Sequence, residues 1–300
     1  MQPTLKAALF SVLSNTVLVV LKLITGLMLS SVSIISEAIH SGIDLIASLI
    51  AAFSVKQSGK PADERHRYGH GKIENLSGTI EALLIFVAAI WIIVEAVNKF
   101  STGETHTDLG IGIAVMLFSG IANYFVSIYL LKVAKKHDSI ALEADAMHLR
   151  ADVYTSLGVL LGLVLMKLTG IPWIDPVMAL LVAVLIIKTA YSLTKEAALP
   201  LLDENLPRQE EEEIIAIINS FSDSFLNFHK LRSRKAGSVR HIDLHLVVKR
   251  DQPVEEAHRL SHVIIAAIKE KYPTAELLVH IEPCKDDYCN KCNICEIKRS

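Results

Sequence analysis

Two stretches of the chain set a histidine and an aspartate four residues apart inside long apolar runs: His40 and Asp44 in EAIHSGID, and His148 and Asp152 in ADAMHLRADV. On a helix, residues i and i+4 share a face, so each pair points a nitrogen and a carboxylate at one spot. An aspartate at the centre of a membrane span costs about 2.5–3.5 kcal/mol on insertion scales, and here the cost arises twice. Two local His–Asp hydrogen bonds that hold helices together are the simpler explanation. The sharper one is a single site of four ligands, closed when the two helices pack face to face. Two nitrogens and two oxygens suit a tetrahedral divalent ion, and Zn²⁺ at ~2.0–2.2 Å from each donor is the natural occupant.

Other polar groups near these pairs are weaker candidates. Glu37, Glu143 and Asp145 lie a turn or more nearer a membrane face. Asp145 falls on the His148 face, where it would serve as an entry or supporting group. Ser36, Ser41, Ser48, Glu81 and Glu95 are expected to be helix-packing groups rather than ligands. In KPADERHRYGHGKIE, the spacing of Asp63, His66 and His70 could bind metal, although a polar loop of this length often holds such groups by chance. GHGK fails as a phosphate-binding loop, because His66 stands where the first glycine belongs and Lys72 is followed by Ile73.

The elements that must position these groups can be read from hydropathy. The chain has 300 residues, of which 51% are hydrophobic, and a formal charge of −2 with no basic stripe, which argues against nucleic acid as a partner. Charge is uneven: 30 Lys, Arg, Asp and Glu residues fall before Leu201 and 32 in the last hundred. A membrane portion followed by a soluble domain accounts for that break. Runs long enough to cross a hydrocarbon core of about 30 Å lie near 7–29, 32–55, 77–98, 109–134, 140–168 and 174–195. Lys56, Lys60, Arg65, Arg67 and Lys72 flank the second and third spans, and Lys132, Lys135 and Lys136 flank the fourth and fifth. The positive-inside rule puts these loops and both termini in the cytoplasm of a multi-pass inner-membrane protein embedded in the lipid bilayer. The first run holds Lys22 and no small-residue cleavage site follows it, so a signal peptide is not expected.

Beyond Arg208 the pattern predicts a small cytosolic α+β domain of order αββαβ, ferredoxin- or metallochaperone-like. An acidic-ended helix comes first, then strands near 226–234 and 239–249, a helix over 253–272, and the strand ELLVHIE. Domain limits of 1–200, 201–283 and a Cys-rich tail of 284–300 follow. In RHIDLHLVV, His241, Asp243 and His245 share one strand face. His258 and His262 lie four apart on the next helix, and His280, Glu282 and Cys284 alternate along the last strand. Scattered surface histidines are the plain alternative to a metal site. In the tail, Cys284, Cys289, Cys292 and Cys295 form C-x₄-C-x₂-C-x₂-C. In a reducing compartment such density favours thiolate metal ligation, with an iron–sulfur cluster or an unbound redox-active tail as alternatives.

Taken together, the paired His–Asp motifs in the second and fifth of six spans, the loop RYGHGKIE and the αββαβ end resemble the cation diffusion facilitator family of divalent-metal/proton antiporters, over roughly residues 4–284. The resemblance implies a homodimer that exports metal, exchanging it for protons, with no nucleotide. It implies His40, Asp44, His148 and Asp152 as the transport site, and Asp63, His66 and His70 as a loop metal site. It also implies His229, His245, His258 and His280 as ligands of a cytosolic site near the dimer interface. Glu282 stands where some members have a bridging Asp. Lys72 and Asp203 match a charge interlock between subunits. A two-His, two-Asp set in this family goes with zinc preference, while Fe²⁺, Cd²⁺, Co²⁺ and Mn²⁺ stay open. A passive channel, a membrane-bound sensor and an intramembrane hydrolase are the competing classes. The last would need a general base in a motif such as His-Glu-x-x-His, which the chain lacks, so no enzymatic activity is expected.

Overall fold

The computed structural model describes residues 2–28, 32–102, 111–171 and 173–284. The chain divides into two compact units, Met1–Leu201 and Leu202–Ser300. The first contains helices α1 (Pro3–Met28), α2 (Val32–Ser58), α3 (Lys72–Thr102), α4 (Ile111–His137), α5 (Ile140–Thr169) and α6 (Ile174–Ala198), followed by a 3₁₀ turn at Leu199–Leu202. Six helices among the described residues are long and apolar enough to cross a membrane. Without water, a spanning backbone must satisfy its own hydrogen bonds, and the helix does so within one segment.

Large apolar side chains such as Leu13, Trp91, Phe125 and Val184 are exposed on the outside of this unit, where lipid would meet them. The inside is built from small residues that let helices approach closely. One core joins Ala7 and Ala8 of α1, Ala52 and Val55 of α2, Leu130 of α4 and Leu149 of α5. A second joins Ala82, Ile85 and Ala89 of α3, Ala144 of α5, and Ile186 and Ala190 of α6. Helix α5 belongs to both, which makes it the shared wall of the bundle. At Gly158 a Cβ would come within 2.4 Å of Val182 Cγ2, so α5 and α6 meet there only because the side chain is absent.

Helix α3 begins at Lys72, five residues before the apolar run predicts. The reason lies in Glu74. Its buried carboxylate accepts from Ser58 Oγ at 2.6 Å, in the last turn of α2, and from Ser139 Oγ at 2.5 Å, just before α5. Three helix ends are tied by one acidic group in the first turn of α3, which also suits the positive end of that helix.

The second unit contains α7 (Arg208–Asn219), β1 (Asn227–Ala236), β2 (Val239–Val248), α8 (Val254–Lys271) and β3 (Glu276–Pro283). The sheet order is β1-β2-β3, with β1 antiparallel and β3 parallel to β2, so α8 is the crossover that parallel strands require. Ile242, Leu244, Leu246 and Val248 alternate along β2 into a core shared with Ile214 and Ile218 of α7 and Ile264 and Ile268 of α8. The opposite face of β2 is left to His241, Asp243 and His245.

The two helices are joined at one end by Glu213 of α7, which accepts from the Tyr272 hydroxyl and pairs with Lys271 Nζ at 3.0 Å. The Tyr272 hydrogen bond, with Lys271 second, holds the carboxyl below its ordinary value of 4.5. A carboxylate depressed on folding adds stability above its unfolded value and loses it as pH falls through the folded one. Glu213→Gln should therefore lower the thermal midpoint of the soluble unit's transition at neutral pH. The gap from wild type should close as the solution is acidified below about 4, followed by calorimetry across pH.

Candidate metal centre

Four chemically active side chains meet between α2 and α5. His40 and Asp44 stand one turn apart on α2, and Asp152 of α5 joins them, with one donor atom from each within 4.8 Å of the others. His148 completes the set, its Nε2 3.0 Å from Asp44 Oδ1. Asp44 and His148 are almost fully buried, at 5% exposure each, whereas His40 is exposed. The expected four residues thus converge, three as a close cluster and the fourth through a direct contact across the helix pair. Two imidazoles and two carboxylates can grip a dication, and every one of them can instead hold a proton.

Beneath this set lies a polar seam, in which Ser41 and Ser48 are the helix-packing groups expected and the α1 side was not anticipated. Buried Ser41, Asp44 and Ser48 share one stripe of α2, and α1 faces it with Ser11, Asn15 and Lys22. Lys22 Nζ donates to Ser41 Oγ at 2.8 Å, and Asn15 Nδ2 to Ser48 Oγ at 2.5 Å. Ser48 passes its own proton on to Asp145 Oδ1 at 3.0 Å. Asp145 is thereby tied from α5 to α2, and it also takes a hydrogen bond from Ser11. Polar residues 11, 15 and 22 recur at helical spacing within the otherwise apolar α1, and that periodicity was the available signal.

In the first basic loop, between α2 and α3, Asp63, His66 and His70 also bring donors within 4.8 Å of one another. Asp63 accepts the backbone amides of His66 at 2.6 Å and Arg65 at 2.9 Å. These bonds, that of His66 first, hold its carboxyl below the ordinary range. In the soluble unit the cluster within 4.8 Å is His229, His245 and Glu282. Sheet register explains it, since His229 pairs with His245 and His245 with His280 across three strands. The His245 and His280 rings lie 4.7 Å apart. Glu282 Oε1 is 2.7 Å from His245 Nδ1, and that bond keeps the carboxyl below its ordinary value. His258 is not in the close cluster; its ring packs on that of His262, 4.4 Å away on α8.

Lys72 Nζ donates to the Leu201 carbonyl at 3.5 Å, and Asp203 pairs with Arg234 at 3.2 Å, each within its own unit. Cys284 is buried, with its amide on the Val248 carbonyl. Cys289, Cys292 and Cys295 lie outside the described residues.

Residues 8–202 match the cation efflux transmembrane domain, and residues 206–284 the cytoplasmic domain of cation efflux proteins. An uncharacterised transporter of Synechocystis is 33% identical, over 85% of this chain and 83% of its own. The cation-efflux pumps FieF of Yersinia pestis and Serratia proteamaculans are each 32% identical, over 93% of this chain and 92% of theirs. The chain belongs to the cation diffusion facilitator family. A solved structure described as that of a candidate zinc transporter, CzrB, in its zinc form is 39% identical, covering 27% of this chain and 92% of its own at a TM-score of 0.26. The protein is a multi-pass cation efflux transporter with a cytoplasmic domain.

One local feature of this cation diffusion facilitator aims His229. Between His229 and Arg232 strand β1 carries one residue more than its partner, a bulge. Lys230, at φ 51°, takes the left-handed conformation that the bulge needs. For a residue with a Cβ that conformation costs roughly 1–2 kcal/mol, and here it sits beside a candidate ligand. Lys230→Gly should raise the stability of the soluble unit by about 1 kcal/mol in denaturant unfolding while keeping the His229 position. A loss of stability would show that the Lys230 side chain makes compensating contacts.

Proposed function

We propose that this transporter exports a divalent transition metal ion, zinc above others, from the cytoplasm in exchange for protons. The observation that carries it is the convergence of His40, Asp44, His148 and Asp152 from two helices inside the bundle. Such donors bind metal when deprotonated and release it when acidified, and neutral imidazole becomes cationic near working pH. A site open to the cytoplasm captures the ion. Open to a more acidic exterior, it exchanges the ion for protons. The balance of nitrogen and oxygen donors favours zinc over the harder Mn²⁺, and the relatives' designation as cation-efflux pumps agrees with the outward direction.

In this proposal residues 1–200 form the transport unit and residues 201–283 a metal-binding dimerisation unit, with a Cys-rich tail after them. Both termini lie in the cytoplasm of an inner membrane in this reading, which the basic loops support. The soluble cluster fits a resident zinc ion, because His229, His245 and Glu282 are nitrogen and oxygen donors on adjoining strands. An ion there would cross-link β1, β2 and β3. Asp63, His66 and His70 offer a second such set, and Lys72 and Asp203 an interlock between subunits.

In proteoliposomes, zinc flux should follow an imposed pH gradient, and Asp44→Asn or Asp152→Asn should abolish it. Flux that ignores the gradient would mean a channel, and near-normal flux in both variants would remove the site. His245→Ala combined with His280→Ala should retain residual transport and lose its stimulation by zinc, measured as initial rate against cytoplasmic-side zinc.

A further inference from the structure

Two acids inside the bundle take no part in the metal cluster. Glu81 of α3 and Asp145 of α5 are both fully buried, at 0% exposure. Each has one satisfied oxygen. Glu81 Oε1 accepts from Ser77 Oγ at 3.1 Å, and Asp145 Oδ1 from Ser48 Oγ at 3.0 Å. The second oxygen of each, Glu81 Oε2 and Asp145 Oδ2, is buried without a hydrogen-bond partner among the described residues. The two carboxyls lie within electrostatic reach of each other. The charges of Asp145 and His148 both act on Glu81. On Asp145 the charges of His148 and Asp44 also act. On the α6 side, Ile186, Ala190 and Leu193 pack into the core around Ala82, Ile85 and Ala144.

Two bare carboxylates here would be two like charges in a buried interior, each with an oxygen left unsatisfied. Burial away from water opposes each such charge. A dication does not resolve this, since two free oxygens fall short of the four or more ligands that zinc or harder ions take. One proton does. Bound to either orphan oxygen, it removes one charge and with it the repulsion between the two acids. We propose that Glu81 and Asp145 form a proton-binding site of their own between α3 and α5, beside the metal cluster but outside it. The proton comes from water and returns to it, and no other bond changes. Because Asp145 acts on His148 and Asp44, a dication arriving among those ligands repels this proton, and its departure draws one back. The site therefore adds to the protons exchanged for each metal ion; that consequence rests on the transport reading above, whereas the bound proton itself does not.

The test uses the full-length protein, metal-free, in nanodiscs. Infrared spectra at neutral pH should contain a protonated carboxylic acid carbonyl band that Glu81→Gln and Asp145→Asn each remove. Calorimetry with Zn²⁺ in buffers of different ionisation enthalpy should then find Glu81→Gln releasing up to about one proton fewer per zinc bound, with affinity largely retained. A spectrum without such a band, or a band and proton count untouched by both variants, would overturn the proposal. So would unfolding of both variants, since each amide fills the space of the protonated acid. Asp44→Asn separates the two readings. If it still binds zinc normally while Glu81→Gln removes the band, the transport site fails and the proton site stands; the opposite pattern sinks the proton site alone.

Discussion

The interior of a membrane offers no water, so each ionisable side chain inside this bundle must be answered by another side chain, an ion or a proton. That constraint organises the first unit. Asp44 is answered by His148 across α2 and α5, Lys22 by Ser41 across α1 and α2, and Asp145 by Ser48 and Ser11. At the helix ends Glu74 is answered by Ser58 and Ser139. Each of these bonds joins two different elements. Polar groups that would weaken an isolated span thereby become the connections between spans, and they fix which faces meet. Small residues then let the backbones approach to the distance those bonds require.

How much of this was legible in the chain depended on whether a group announced itself by type and spacing. His40, Asp44, His148 and Asp152 did, because an acid and an imidazole one turn apart are rare within apolar runs. The six helices and the αββαβ order did too, through length, hydropathy and period. Ser48 did not: serine is common in such helices, and only its position between Asn15 and Asp145 marks it. Glu81 was read as a packing group, since nothing in its neighbourhood in the sequence shows that Asp145 lies near it. Glu74 sits outside the apolar run, where an acid looks solvated, yet it is 7% exposed.

The soluble cluster shows a different limit. Alternation along β2 placed His241 and His245 on one face, but the companions of His245 depend on register. His229 reaches it only because the bulge at Lys230 shifts β1 by one residue, and a one-residue slip moves every side chain to the other face. No glycine or asparagine marks that position. Nor does spacing along the chain bring His280 and Glu282 beside β2, because α8 intervenes and the parallel pairing is settled by packing of its apolar stripe.

Two of the three candidate metal clusters share a property that bears on the proposed coupling. Asp44 already holds His148 at 3.0 Å, and Glu282 already holds His245 at 2.7 Å. A hydrogen bond of this kind contains a proton between donor atoms that a metal would use. A dication can enter only by breaking it, and it releases the proton if the histidine was charged. Binding is then an exchange rather than an addition. The ligands do not need to be assembled from a dispersed state, because the proton keeps them close to one another while the ion is away. In water such a pair would be weak and screened. For Asp44 and His148, buried within the bundle, it is neither, so in the proposed exchange proton and metal would compete for the same donors.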